Sequence, residues 1–227
     1  MKLIFTGKTK DVYELDDGSY RLSFKDDMTG ADGKFDPGAN SVGLTVDGAG
    51  RAGLEMSSYY FRLIEEKGYP THFLSAEDNC MTVKQGKPYG GGLEVICRYK
   101  ALGSFIRRYG DYIKEGAPLN AVVEMTLKDD NRGDPLINED ALIAIGVLLP
   151  GEYSEIRKLT QEICSVIRED LTAKNLELCD IKLEFGKDCS SKPMLIDEIS
   201  GGNMRVLKDG ESVAPIELSK LVLQNRT

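Results

Sequence analysis

The segment from Leu178 to Ile199, LCDIKLEFGKDCSSKPMLIDEI, constrains this chain more than any other. It reads as two short strands joined by a polar turn. On the first, Asp180, Lys182 and Glu184 alternate with Ile181, Leu183 and Phe185. Side chains on a strand point to opposite faces with period two, so the charged groups share one face and their apolar neighbours look into a core. The second strand, Met194 to Ile199, brings Asp197 and Glu198 back toward the charged face. Carboxylates gathered around a lysine on rigid strands suit a magnesium-and-phosphate site better than a solvated surface.

The 227 residues around this hairpin are enough for one large domain or two small ones sharing a cleft. A net charge of -8 argues against nucleic-acid or anionic-membrane partners, which call for broad basic surfaces. It does not oppose a small anionic substrate, because local lysines and arginines override the mean. No apolar run approaches the roughly 20 residues that span a bilayer, and the opening MKLIFTGKTKDVYEL lacks the apolar stretch of a signal peptide. Cys80, Cys97, Cys164, Cys179 and Cys189 show no metal-ligand spacing. Their odd number, without a secretion signal, predicts reduced thiols and a cytoplasmic protein. The single histidine, His72, leaves little material for a histidine metal centre or a Ser-His triad, and is expected to be paired or exposed.

Along the chain, Leu3–Thr6, Asp11–Leu15 and Tyr20–Phe24 predict an antiparallel sheet, with turns at Gly7–Lys10 and Asp16–Gly18. Ammonium groups of Lys8 and Lys10 in the first turn suit phosphate oxygens, although composition alone favours an ordinary basic turn. Residues 28–53 read as a long glycine-rich loop with a possible strand at Leu44–Val46. Its end, Gly48-Ala49-Gly50-Arg51-Ala52-Gly53, matches the dinucleotide-binding pattern GxGxxG. That fingerprint belongs near the start of a parallel sheet, and the preceding residues look like antiparallel hairpins. The glycines are therefore assigned to a turn into a helix over Leu54–Lys67. Strands at His72–Leu74 and Asn79–Lys84 follow. The flexible QGKPYGGG crossing at 85–92 divides a lobe at 1–88 from one at 89–227.

Leu93–Arg98 alternates as a strand, and Ser104 opens a short helix as its cap. There its hydroxyl and the free amides suit a phosphate, with Arg98 forking onto it. A routine cap beside a surface arginine fits these residues equally well. Val122–Lys128 reads as a strand, and the acidic turn Asp129–Pro135 lacks the spacing of a calcium loop. Asn138–Ile145 is a short helix. Gly151–Lys174 is a longer one, with Ile156, Leu159, Ile163, Val166, Ile167 and Leu171 on one stripe and a solvated charged face. A last short helix begins at Pro215.

Several blocks, in order, resemble one family. Gly7-Lys8-Thr9-Lys10-Asp11-Val12-Tyr13 is similar to the N-terminal nucleotide turn of SAICAR synthetases, the phosphoribosylaminoimidazole-succinocarboxamide synthases. Glu94-Val95-Ile96-Cys97-Arg98 with Gly103-Ser104 resembles a first signature, and Asp180-Ile181-Lys182-Leu183-Glu184-Phe185-Gly186 closely resembles a second. Asp197-Glu198-Ile199-Ser200 with Arg205, and Leu127-Lys128-Asp129-Asp130 with Asp134-Pro135, also fit.

The resemblance implies a two-lobed α+β fold, with a kinase-like antiparallel ATP lobe packed on a larger α/β lobe. It implies ATP-dependent condensation of carboxyaminoimidazole ribonucleotide (CAIR) with L-aspartate through an acyl phosphate, in a homo-oligomer. By resemblance, Lys8, Lys10 and Val12 bind ATP, and Glu184 and Asp197 hold Mg2+. Arg98, Ser104 and Arg205 surround the 5′-phosphate, Asp180 and Lys182 contact the imidazole and carboxylate, and Lys128 and Asp134 belong to the reacting region. Gly92-Leu93, Ser200-Gly201-Gly202 and Asp32-Gly33-Lys34 depart from the family pattern in loops beside the acceptor pocket. They leave two other readings: a paralogous ligase for a different amine or carboxylate, and a non-catalytic nucleotide-binding protein.

Overall fold

The computed structural model describes residues 1–31, 33–38 and 41–224. In chain order the first elements are β1 (Lys2–Thr6), β2 (Lys10–Glu14), β3 (Tyr20–Phe24), β4 (Asp27–Ala31), β5 (Lys34–Phe35), β6 (Val42–Thr45) and α1 (Ala49–Glu66). Then come β7 (Phe73–Glu77), β8 (Cys80–Val83), β9 (Lys87–Pro88), β10 (Leu93–Lys100), α2 (Ser104–Tyr109) and β11 (Pro118–Leu127). The last are α3 (Glu139–Ala144), α4 (Glu152–Ala173), β12 (Glu177–Lys187), β13 (Pro193–Ile196), β14 (Met204–Lys208), β15 (Glu211–Ser212) and α5 (Pro215–Leu223).

The N-terminal strands form an antiparallel sheet in the order β1-β2-β3-β8-β7. A second antiparallel sheet runs β11-β10-β12-β14-β15, with β13 and β9 pairing the far end of β12. Every paired strand in both is antiparallel, which removes the dinucleotide-binding reading of the GxGxxG run. Helix α4 lays Ile156, Ile163, Ile167 and Leu171, all fully buried, against the second sheet. Fully burying such side chains is worth about 1.5–3 kcal/mol each. Helix α1 packs Leu54, Met56, Phe61 and Ile64 under the first sheet, and one core runs between the sheets.

Three local expectations need correction. Residues 28–53 are not one loop: β4, β5 and β6 make a small antiparallel sheet of their own, although Asp32 lies outside the described residues. Helix α1 begins at Ala49 rather than Leu54, so Gly50 and Gly53 lie inside its first turns. The Asp26 carboxylate accepts from the Gly50 N–H at 2.8 Å and so caps the helix from another segment. A Cβ on Gly50 would come within 2.8 Å of the Lys25 carbonyl oxygen, so glycine is required by the passing chain. The charged face of α4 is also not wholly solvated. Asp170 accepts from the hydroxyls of Tyr59 and Tyr60 and pairs with Lys174, locking α4 to α1.

Candidate active site

The second sheet presents one face of paired charged residues. Across β10 and β12, Glu94 lies opposite Glu184, Ile96 opposite Lys182, and Arg98 opposite Asp180. Across β10 and β11, Thr126 lies opposite Glu94 and Glu124 opposite Ile96. Arg205 of β14 lies opposite Asp180. Residues directly opposite on adjacent strands share a face, so pairing register alone gathers these groups.

At one end of the face two arginines are held ready. Buried Arg98 donates from Nε to Glu124 at 2.7 Å, from Nη1 to Asp180 at 3.1 Å, and from Nη2 to the Ser104 hydroxyl at 2.8 Å. Arg205 donates to both oxygens of Asp180, at 3.1 and 2.9 Å, and to Asp36 at 2.9 Å. Arg98 is thus not a surface residue, and Ser104 does not cap α2: Gly103 holds that position with φ 55° and no side-chain cap bond is made. A Cβ there would lie 2.7 Å from an Arg205 nitrogen, so only glycine admits the guanidinium. Asp180 accepts from both arginines and aligns them. Burial raises its pKa, against the pull of Arg205 and Arg98. These groups line a compartment of about 130 Å3.

At the other end lies a carboxylate and lysine cluster. Lys128 pairs with Glu184 at 2.7 Å, Lys182 with Glu94 at 2.6 Å, and Lys10 with Asp197 at 3.1 Å and Glu198 at 2.5 Å. Burial and the neighbouring Asp197 charge raise the pKa of Glu184, with Lys128 opposing. Burial acts the same way on Asp197, but Lys10 and Lys128 outweigh it and hold that carboxyl below its usual range. Among the described residues no three His, Cys, Asp or Glu side chains are disposed to hold a metal ion unaided. The pair of partly buried, mutually repelling carboxylates does fit magnesium, which commonly takes one or two carboxylates and fills its other positions with phosphate oxygens and water.

This cluster forms the floor of a cleft of about 310 Å3. Gly7, Lys8 and Lys10 from the β1–β2 turn form one wall, and Val12, Leu22 and Phe24 an apolar one. Lys8 reaches Asp130, beyond β11, at 2.6 Å. The cleft and the arginine compartment adjoin, sharing Pro37, Glu94, Asp134, Lys182 and Asn203 as lining. All the residues singled out in the sequence, from Lys8 to Arg205, line one compartment or the other. Asp134 adopts φ 47° and accepts from the Asp129 N–H at 2.7 Å.

The fold adds groups that the sequence reading did not assign. Glu94, buried at the junction, lies four residues before Arg98 on the same strand, and that even spacing was a usable signal. Glu124 and Asp36 gave none, because one depends on strand register and the other on how a loop returns. His72 is neither exposed nor fully paired: it is buried and its Nε2 has no partner. Burial pushes its pKa down to about 3, so it is neutral.

The family model for SAICAR synthetase matches residues 3–225. A phosphoribosylaminoimidazole-succinocarboxamide synthase of Clostridium tetani is 53% identical over 227 aligned residues, covering 99% of this chain and 100% of the relative. The chain belongs to the SAICAR synthetase family. The synthase of Finegoldia magna is 37% identical, over 91% of this chain and 85% of its own length. Among solved structures, a SAICAR synthetase in complex with ADP superposes with a TM-score of 0.82 at 31% identity, covering 97% of this chain and 89% of that one. The synthase of Ehrlichia chaffeensis gives 0.83 at 26% identity, over 98% and 92%. Membership accounts for the order of the sequence blocks and for the α+β architecture of antiparallel sheets and helices.

Proposed function

We propose that this chain is an ATP-dependent carbon–nitrogen ligase that condenses CAIR with L-aspartate, giving SAICAR, ADP and phosphate. The observation that carries this reading is the junction of the two compartments at Glu94, Asp134 and Lys182. A nucleotide in the first and a ribonucleotide phosphate in the second bring a γ-phosphoryl group and a carboxylate together there. Residues 1–88 supply the nucleotide lobe in this reading, and residues 89–227 the substrate lobe. The ADP complex of a 31% identical family member supports a nucleotide site.

The chemistry follows from a weak acyl donor. A carboxylate has no competent leaving group, so one of its oxygens first attacks the γ-phosphorus and ADP departs. The aspartate amine then adds to the acyl carbon, loses a proton, and expels phosphate carrying one former carboxylate oxygen. Phosphoryl transfer asks mainly for positioning and charge neutralisation. Val12 and Leu22 provide the apolar wall for the base, while Lys8 and Lys10 hold phosphates. Arg98 and Arg205, aligned by Asp180, take the 5′-phosphate beside Ser104. Lys182 orients the carboxylate, and Lys128 and Asp134 flank the reacting atoms. Glu184 and Asp197 would hold magnesium, which when bound supplies charge neutralisation at the transferring group. The reading includes a cytoplasmic homo-oligomer acting on small molecules, with no nucleic-acid or membrane partner. No helix among the described residues is long and apolar enough to cross a bilayer.

A coupled assay for ADP release, with CAIR and a panel of amino acids, tests this. Turnover with L-aspartate is the expected result. Turnover with another amine, and none with aspartate, identifies a paralogous ligase. ADP binding without product for any pair identifies a non-catalytic nucleotide-binding protein.

A further inference from the structure

Asp197 and Glu198 are adjacent at the end of β13, where successive side chains of an extended chain point to opposite faces. Both nevertheless reach Lys10, at 3.1 and 2.5 Å. The backbone explains it. Asp197 sits at φ 71°, a left-handed conformation that is strained for a non-glycine residue and persists where the surroundings impose it. The surroundings here are buried polar groups from three directions. The Ser57 hydroxyl of α1 accepts from the Ile199 N–H at 3.1 Å and lies 3.2 Å from the Ile199 carbonyl oxygen, to which it also bonds. The Asn203 amide donates to the Glu198 carbonyl at 2.7 Å. The buried His72 ring lies against the Asp197 backbone. The result is an ammonium with its side chain 9% exposed, clamped between a carboxylate 30% exposed and one 13% exposed, and lying 5.5 Å from the Phe24 ring centre.

We propose that Glu198 is a positioning residue that neutralises and holds Lys10, so that Asp197 is left to a divalent cation. Asp197 alone would have to serve the lysine and the cation together. A second carboxylate, brought to the same ammonium by the left-handed turn, divides the two tasks. Glu198 thereby prevents Lys10 from competing for the metal carboxylate.

The inference rests on reading the cleft as a nucleotide and metal site, and its test separates the two. Two quantities are measured on the folded parent and on Glu198→Gln: ADP affinity by calorimetry in chelator, and Mn2+ affinity of the ADP complex by electron paramagnetic resonance. Removing one negative charge beside the phosphates should tighten metal-free ADP binding about threefold. Driving Lys10 wholly onto Asp197 should weaken Mn2+ binding about tenfold, of the order expected for one partly screened charge. These opposite signs are the expected result. A merely structural role weakens both together, and either that outcome or no change in both overturns the inference. If circular dichroism shows Glu198→Gln unfolded, Glu198→Asp, whose shorter carboxylate loosens the contact but keeps the charge, must weaken Mn2+ binding to a smaller extent while leaving metal-free ADP affinity unchanged; equal weakening of both overturns the inference. A parent that binds no ADP overturns the nucleotide reading itself.

Discussion

Glu184→Gln should lower kcat by about three orders of magnitude while leaving CAIR affinity within about threefold. Positioned charge stabilisation at a transferring phosphoryl group is worth several kcal/mol, and it acts in the transition state rather than on the bound substrate. The carboxamide keeps the shape of Glu184 and an oxygen for the Lys128 ammonium, now 2.7 Å away, but loses the charge. Stability should not fall. Burial and Asp197 already disfavour that charge, so its removal relieves repulsion. Steady-state kinetics, calorimetry with CAIR and a thermal melt separate the three effects. Near-normal turnover would show that Glu184 holds no metal.

Arg98→Ala should act on the other end of the face, and in the opposite kinetic sense. The apparent KM for the ribonucleotide should rise at least about a hundredfold, with a smaller change in kcat, because a phosphate contact is made equally in ground and transition states. Stability should fall by about 3 kcal/mol, since truncating one partner leaves Glu124 and Asp180 as buried carboxylates with fewer donors. Arg108 still serves Glu124 and Arg205 still serves Asp180, which limits the loss. Arg98→Lys should recover part of the stability but little of the KM, because an ammonium cannot reproduce three contacts made by one planar fork. Urea unfolding and KM measured on the same preparations check both.

The legible parts of this molecule are those written in local periodicity. Alternation gave β12 and its charged face, the turn residues after it gave β13, and a helical stripe gave α4. The small sheet of β4, β5 and β6 was hidden because its strands are short and glycine-rich, with no alternation to read. The start of α1 was displaced because its cap, Asp26, comes from a different segment and two glycines normally signal a turn. His72 is buried where the segment 70–72 pairs with Leu195 of β13, which no local pattern encodes. At the site, every residue given a role from the motif blocks lines the cleft or the arginine compartment. The hidden features, Glu124, Asp36 and the turning of Glu198 onto Lys10, depend on strand register, on a returning loop and on one left-handed residue.

On this mechanism the cleft hands a phosphoryl group to a carboxylate held across the shared wall. The most direct measurement uses CAIR carrying 18O in its carboxylate, with ATP, Mg2+ and L-aspartate, and reads the phosphate product by mass spectrometry. An acyl phosphate predicts one 18O atom in each phosphate released, matched one to one by ADP and amide. Phosphate formed without label, at the same rate as amide, would rule out an acyl phosphate.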